Sequence, residues 1–250
     1  DGRFCDDCNH FFLSGVLDAR KIYAQKNYLT SSIGSQGAVE CIDGFYDFIT
    51  NSSDAGDITN ATIIDIRGND STLLKRFVGK CRHLVNIDPN ASTDDSVVEV
   101  QREFFEDIDF SRFNDVSPKV FVSSHTIEHL EDPATLLRNL SDAVKAKDIL
   151  YLQFPSLDKM IEQRRFDQVC HQHINLFSID SIKRLLQPQG IFINHYEYDT
   201  SHYGTLRLKL TRSRSDAVRS RQFSNEDIAE SYRFFKEYYL SLNNILMETF

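Results

Sequence analysis

Residues 61–77 read ATIIDIRGNDSTLLKRF: an apolar β-type run ends in an acid, passes through a short turn containing glycine, and opens into a segment with helix-like spacing. That order is how a strand delivers a nucleotide-like ligand to a helix N-terminus. Asp65 closes the run, Gly68 can take backbone conformations closed to most residues, and Asn69 and Asp70 can bond the turn or start the helix. A second apolar run, HLVNIDPN, ends on Asp88, roughly twenty residues after Asp65, the offset at which an acid meets a ribose in doubly wound folds. Polar strand ends occur in any α/β protein, but two acids at neighbouring strand tips predict a ribose-bearing cofactor. Arg67 and Ser71 stand where such turns commonly use glycine, so the arginine either fills cofactor space or swings outward into solvent.

Outward from this segment the alternation continues. Residues 83–87 and KVFVSS, ending at Ser123 and Ser124, read as strands, and HTIEHLEDPATLLRNLSDAV follows with Leu136, Leu137, Leu140 and Val144 at amphipathic-helix spacing. DILYLQFPS is a further strand, residues 179–186 a helix, and IFINHYEY and TLRLKL pair as the last strands. Residues 18–32 and 37–51 read as helices before the sheet, and residues 225–250 as a long aromatic-rich helix after it. Repeated β and α units predict an α/β fold whose sheet is mostly parallel with an antiparallel edge strand, helices covering both faces.

The 250 residues can bury one substantial core with a small appendage at either end. Hydrophobic content of 41% and charged content of 26% are ordinary for a globular protein. No apolar stretch approaches the roughly 18 residues that a membrane span needs, and no secretion signal opens the chain, so the expectation is a cytoplasmic protein with no membrane partner. A net charge of −9 argues against a nucleic-acid surface, because phosphate binding leans on clustered Lys and Arg. Oligomeric state is left open. Five scattered cysteines do not form a disulfide framework. Cys5 and Cys8, in RFCDDCNHFF, have the C-x-x-C spacing that lets two thiolates hold one zinc ion; a structural site needs four ligands, and His10 is the one further donor close by.

Two histidine clusters stand out. His125 to His129, in SSHTIEHLEDP, lies just past a strand's carboxyl end, where open α/β sheets bind ligands; its H-x-x-E-H order lacks a clear third metal ligand, which favours cofactor contact or helix-start packing. The second, FDQVCHQHINLFS, sets Cys170, His171, Gln172 and His173 between a strand and the helix at 179–186, with His202 further on. Histidine titrates near neutrality, so a His-rich insertion over a cofactor cleft is a candidate for proton abstraction.

The order C-x-x-C, DIRGNDSTLLKRF, NIDPN, SSHTIEHLEDP, QFPS, FDQVCHQHINLFS and HYGTLR resembles the class I methyltransferases that C-methylate nucleotide-linked deoxysugars with S-adenosylmethionine, over nearly the whole chain. The resemblance implies a Rossmann-like methyltransferase sheet over residues 33–222, a remnant of a zinc-binding-type region and linker helix over residues 1–32, and over residues 223–250 a helix leading towards a further domain. It also implies that Asp65, Gly68, Asn69 and Asp70 form the cofactor loop, Asp88 bonds the ribose, Ser124 and His125 line the methionine end, and Cys5 and Cys8 share structural zinc with an upstream cysteine pair.

In the insertion, the family's Tyr-His-Glu-His appears as Cys170, His171, Gln172 and His173, with His173 implied as the base that forms a sugar enolate and His171 and Gln172 as its supports. His202, Tyr203 and Arg207 are implied to meet the nucleotide-sugar substrate. The departures at Arg67, Ser71, Cys170, Gln172 and Tyr203 favour, as the alternative, a methyltransferase-like binding or scaffold module without catalysis. A nicotinamide enzyme is disfavoured by the absence of G-x-G-x-x-G.

Overall fold

The computed structural model describes residues 2–16, 34–53, 55–91, 96–104, 107–116, 118–170, 172–200, 204–215, 218 and 222–249, without the side chains of 55–56 and 242–249. The helix expected over residues 18–32 lies outside the described residues.

The chain opens with a hairpin, β1 (Gly2–Cys5) and β2 (His10–Leu13), whose turn carries the C-x-x-C pair. Helix α1 (Gln36–Ser52) begins at Ser35, whose Oγ accepts the Ala38 N–H, and buries Cys41, Phe45, Phe48 and Ile49 on one face. A short α2 (Ala55–Thr59) leads to β3 (Thr62–Ile66), α3 (Thr72–Lys75), β4 (His83–Ile87) and a three-residue β5 (Glu99–Gln101) that sequence pattern missed. Strand β6 (Lys119–Ser124) is followed by a single 3₁₀ turn (Ile127–His129) and α4 (Pro133–Ala143), started by Asp132, whose carboxylate accepts the Thr135 N–H. Then come β7 (Ile149–Pro155), α5 (Leu157–Glu162), β8 (Asn175–Phe177), α6 (Ile179–Leu186), β9 (Phe192–Asp199), β10 (Thr205–Thr211) and α7 (Asn225–Thr249).

Seven strands form the main sheet in the order β5-β4-β3-β6-β7-β10-β9. The pairs from β5 to β7 are parallel, while β10 runs antiparallel to both β7 and β9, so the expected hairpin closes this edge with its second strand inserted. Strand order reverses between β3 and β6, and at such a switch point the strand tips open into a crevice. Alternate residues of β3 serve opposite layers: Ile64 and Ile66 pack with α4, Ile63 with Phe45 and Phe48 of α1.

The N-terminal hairpin is not a separate body. Strand β2 pairs with β8 inside the His-rich insertion, and Phe11 shares a core with Leu157, Met160, Leu176 and, just before and within α7, Phe223 and Ile228.

At the opposite end of the sheet Lys119 and Asp148 are fully buried and paired, Nζ to Oδ2 at 2.6 Å. Asp148 also accepts the N–H groups of Lys119 and Lys145, and Lys119 Nζ donates to the Val116 carbonyl. Removing the cation alone leaves a buried carboxylate uncompensated. Lys119→Ala is expected to lower unfolding free energy by about 3–5 kcal/mol in urea titration.

Candidate functional site

The turn after β3 is left-handed at three non-glycine residues: Arg67 (φ 63°), Asn69 (φ 47°) and Ser71 (φ 60°). Arg67 and Ser71 thus adopt the backbone for which glycine is preferred, at a cost of about 1–2 kcal/mol each. Gly68 is required for a different reason. A Cβ there would lie 2.6 Å from Asn86 Oδ1 and 2.7 Å from Asp65 Oδ2, closer than atoms can approach.

Asn86, in β4, closes the turn by donating to the Asn69 carbonyl (3.1 Å) and Ser71 Oγ (2.7 Å). Asp70 starts α3, its Oδ1 accepting the Thr72 N–H and hydroxyl. Asp88, at the tip of β4, accepts the Asn69 N–H with Oδ2 (3.2 Å) and the Asn90 N–H with Oδ1 (2.7 Å). Each of these oxygens has a second lone pair. Burial, then the charges of Asp88 and Asp70, push the Asp65 carboxyl up to about 8, so this acid is protonated at neutrality.

Beyond β6, Ser124 Oγ accepts from Gln153 Nε2 (2.8 Å) and His125 takes φ 51°. His125 Nδ1 lies 3.1 Å from Glu128 Oε1 and its Nε2 3.6 Å from Cys41 Sγ. Burial alone would lower the His125 pKa, but the Cys41 and Glu128 bonds outweigh it and raise it to about 10. Burial likewise opposes ionisation of Glu128, and the hydrogen bond from His125 with the neighbouring histidine charges overturns that, holding it at about 2.

The insertion reaches the same place. His129 Nδ1 lies 2.8 Å from the Gln172 carbonyl and His173 Nδ1 2.8 Å from the Gln168 carbonyl, so both Nδ1 atoms donate. The two rings stand 5.0 Å apart between centroids. Burial, with the positive charges of His173 and Arg67, lowers His129 to about 4.

The structure brings Asp65, Gly68, Asn69, Asp70 and Asp88 together around one turn, and Ser124, His125 and His173 around the end of β6. Gln172 contributes through its carbonyl, to His129, where the sequence implied a side chain supporting His173. Cys170 is half-buried, and its carbonyl accepts the His173 N–H (3.0 Å). His171, His202 and Tyr203 lie outside the described residues.

Arg207 is held by the protein on several sides. It is 4% exposed in an interior strand, donating to Gln153 Oε1 (2.7 Å), Glu197 Oε1 (2.8 Å) and the Cys41 carbonyl and ion-paired with Asp199. It organises the floor of the site. Gly44 in α1 makes room for it, since a Cβ there would lie 2.5 Å from its Nη2.

Cys5 and Cys8 face each other across the hairpin turn. The hydrogen bond from Cys8 lowers the Cys5 pKa, while burial and that same bond raise Cys8 to about 11. Among the described residues they belong to no group of three metal-ligating side chains, and His10 bonds Asn175 Oδ1 (3.0 Å) instead. Cys41 and Gln153 were invisible in sequence, because a lone helical cysteine and a glutamine inside an apolar strand carry no motif.

A family model described as a methyltransferase domain matches residues 40–193, from α1 into β9. Magnesium protoporphyrin IX methyltransferase from Synechocystis, solved with bound SAH, superposes with TM-score 0.54 at 13% identity, covering 78% of this chain and 92% of that one. A putative S-adenosylmethionine-dependent methyltransferase from Listeria monocytogenes gives TM-score 0.54 at 11% identity, covering 69% and 99%. Mitomycin 7-O-methyltransferase gives TM-score 0.51 at 15% identity, covering 68% and 53%. No curated protein matches the sequence. The sheet order and the turn beside Asp88 define a Rossmann-like class I fold. The chain belongs to the methyltransferase-domain family. No described helix is long and apolar enough to cross a membrane.

The Asp65 carboxyl binds a proton in the folded protein up to about pH 8, whereas in the unfolded chain it ionises near 3.8. Its contribution to stability is present below the lower value and is lost as pH rises through the higher one. Asp65→Asn should therefore gain stability over wild type progressively between about pH 5 and pH 8, read by urea unfolding at each pH. A constant difference would show that Asp65 is ionised in the folded protein.

Proposed function

We propose that this chain methylates a small-molecule acceptor bound at the mouth of the cleft, where the turn at residues 67–71 and Asp88 meet Glu128, His129 and His173. The observation that carries the reading is the convergence of the His-rich insertion on the tip of β6, beside the cofactor turn. Asp88 would hold the ribose hydroxyls, the main chain of residues 67–71 the rest of the adenosyl group, and Ser124 and His125 the methionine end. The bound cofactor supplies an electrophilic methyl on a sulfonium.

The protein's part is to dry and align the reactants and to manage one proton. His129 and His173 commit Nδ1 to main-chain carbonyls, which fixes their ring orientation and leaves Nε2 as the nitrogen that serves the acceptor. Ionised Glu128 stabilises positive charge that develops on them. The order of motifs along the chain supports a nucleotide-linked keto sugar, whose enolate carbon takes the methyl after a proton leaves at this cluster. Structural zinc at Cys5 and Cys8 belongs to the same reading and requires two further ligands.

In calorimetric titration, Asp88→Ala is expected to weaken S-adenosylmethionine binding by one to two orders of magnitude, corresponding to about 1.5–3 kcal/mol for a charge-assisted hydrogen bond. Unchanged affinity would remove Asp88 from the ribose. His173→Ala should abolish methyl transfer while leaving cofactor affinity near that of wild type; turnover unchanged by this substitution would place the acceptor elsewhere.

A further inference from the structure

The H-x-x-E-H segment lacks a third metal ligand in sequence, and the fold supplies one. Ligand atoms of Glu128, His129 and His173 all lie within 4.8 Å of one another, the one such group of three among the described residues. We infer that Glu128, His129 and His173 bind a divalent first-row transition-metal ion.

Two independent observations support the site. Glu128 is 1% exposed, and its Oε2 has no hydrogen-bond partner among the described residues, an arrangement that is costly for a buried carboxylate unless something cationic completes it. The second observation concerns ring orientation. Both histidines anchor Nδ1 on a main-chain carbonyl, Gln172 for His129 and Gln168 for His173, the support that fixes Nε2 as the coordinating nitrogen in metal sites. The other Glu128 oxygen is held by His125 (3.1 Å) and stands 3.9 Å from His129 Nε2, so the carboxylate is oriented by a neighbour outside the ligand set.

Two imidazoles and one carboxylate suit zinc, cobalt, manganese or ferrous iron, and suit magnesium or calcium poorly, since those prefer oxygen ligands throughout. Metal–ligand bonds of about 2.0–2.2 Å set ligand atoms roughly 3–3.5 Å apart, so the cluster has to contract by about an ångström or more on the ion. Three protein ligands leave at least one position open. This use of the site rests on the proposed function but, with both Nε2 atoms on the ion, replaces their direct service to the acceptor: the open position would take the acceptor's oxygen, and the ion would lower the pKa of the group to be methylated, the released proton passing to solvent.

The test uses the full chain, stripped with chelator and titrated with cobalt(II), followed by visible absorption, with S-adenosylmethionine binding measured on the same preparations. The expected result is one cobalt per chain with d–d bands and no thiolate charge-transfer band, the latter being the mark of an ion at Cys5 and Cys8. His173→Ala and Glu128→Gln should each weaken cobalt binding by at least about tenfold, with cofactor affinity intact. His173→Ala lies in a loop, and its unfolding transition checks that the fold survives. Absence of cobalt binding, binding with thiolate absorption only, or binding unmoved by both substitutions would overturn the metal site. Loss of S-adenosylmethionine binding by the wild-type chain would instead overturn the methyltransferase reading and leave the cobalt result standing.

Discussion

The ligand end of this sheet depends on the close approach of Gly68 to Asp65 and Asn86. Without a Cβ at 68, the chain folds back against the tips of β3 and β4, and that places the Asn69 N–H on Asp88 and the Asn69 carbonyl on Asn86. Arg67 and Ser71 keep the left-handed backbone in spite of their side chains, because these hydrogen bonds and the packing of α3 determine it from both sides. The same crowding puts three carboxyl groups together, and desolvation resolves the conflict by leaving Asp65 its proton.

Across the switch point, charge is arranged differently. Glu128 is held ionised in spite of burial by the hydrogen bond from His125, and His129 is held neutral chiefly by burial. One carboxylate thus faces two histidines of opposite protonation tendency. Divergent neighbouring titratable groups of this kind cluster at functional sites. Beneath it, Gln153 ties Ser124, Cys41 and Arg207 into one hydrogen-bonded floor, so α1, β6, β7 and β10 position the histidines jointly.

The N-terminal hairpin has a structural part in this. By pairing with β8 it adds two strands to the insertion, and the apolar cluster of Phe11, Leu157, Leu176 and Phe223 anchors a loop that would otherwise carry its catalytic candidates on irregular chain. Asn175, the first residue of β8, bonds the Leu130 carbonyl and His10, linking hairpin, insertion and 3₁₀ turn close to His129.

Local sequence decided the main-sheet strands β3, β4, β6, β7, β9 and β10 and the helices α1, α4, α6 and α7, because apolar periodicity acts within a few positions: the limits of β4 and α6 could be read directly from HLVNI and IDSIKRLL. It also decided the turn after β3, since glycine, acid and strand tip are neighbours in the chain. Only tertiary structure decided the rest. The inward course of Arg207 follows from β10 being inserted between β7 and β9, and the service of Gln172 through its carbonyl follows from how the insertion lies against the 3₁₀ turn. The joining of Glu128 and His129 to His173 depends on β8 pairing with β2, a contact between residues far apart in sequence for which no local pattern exists.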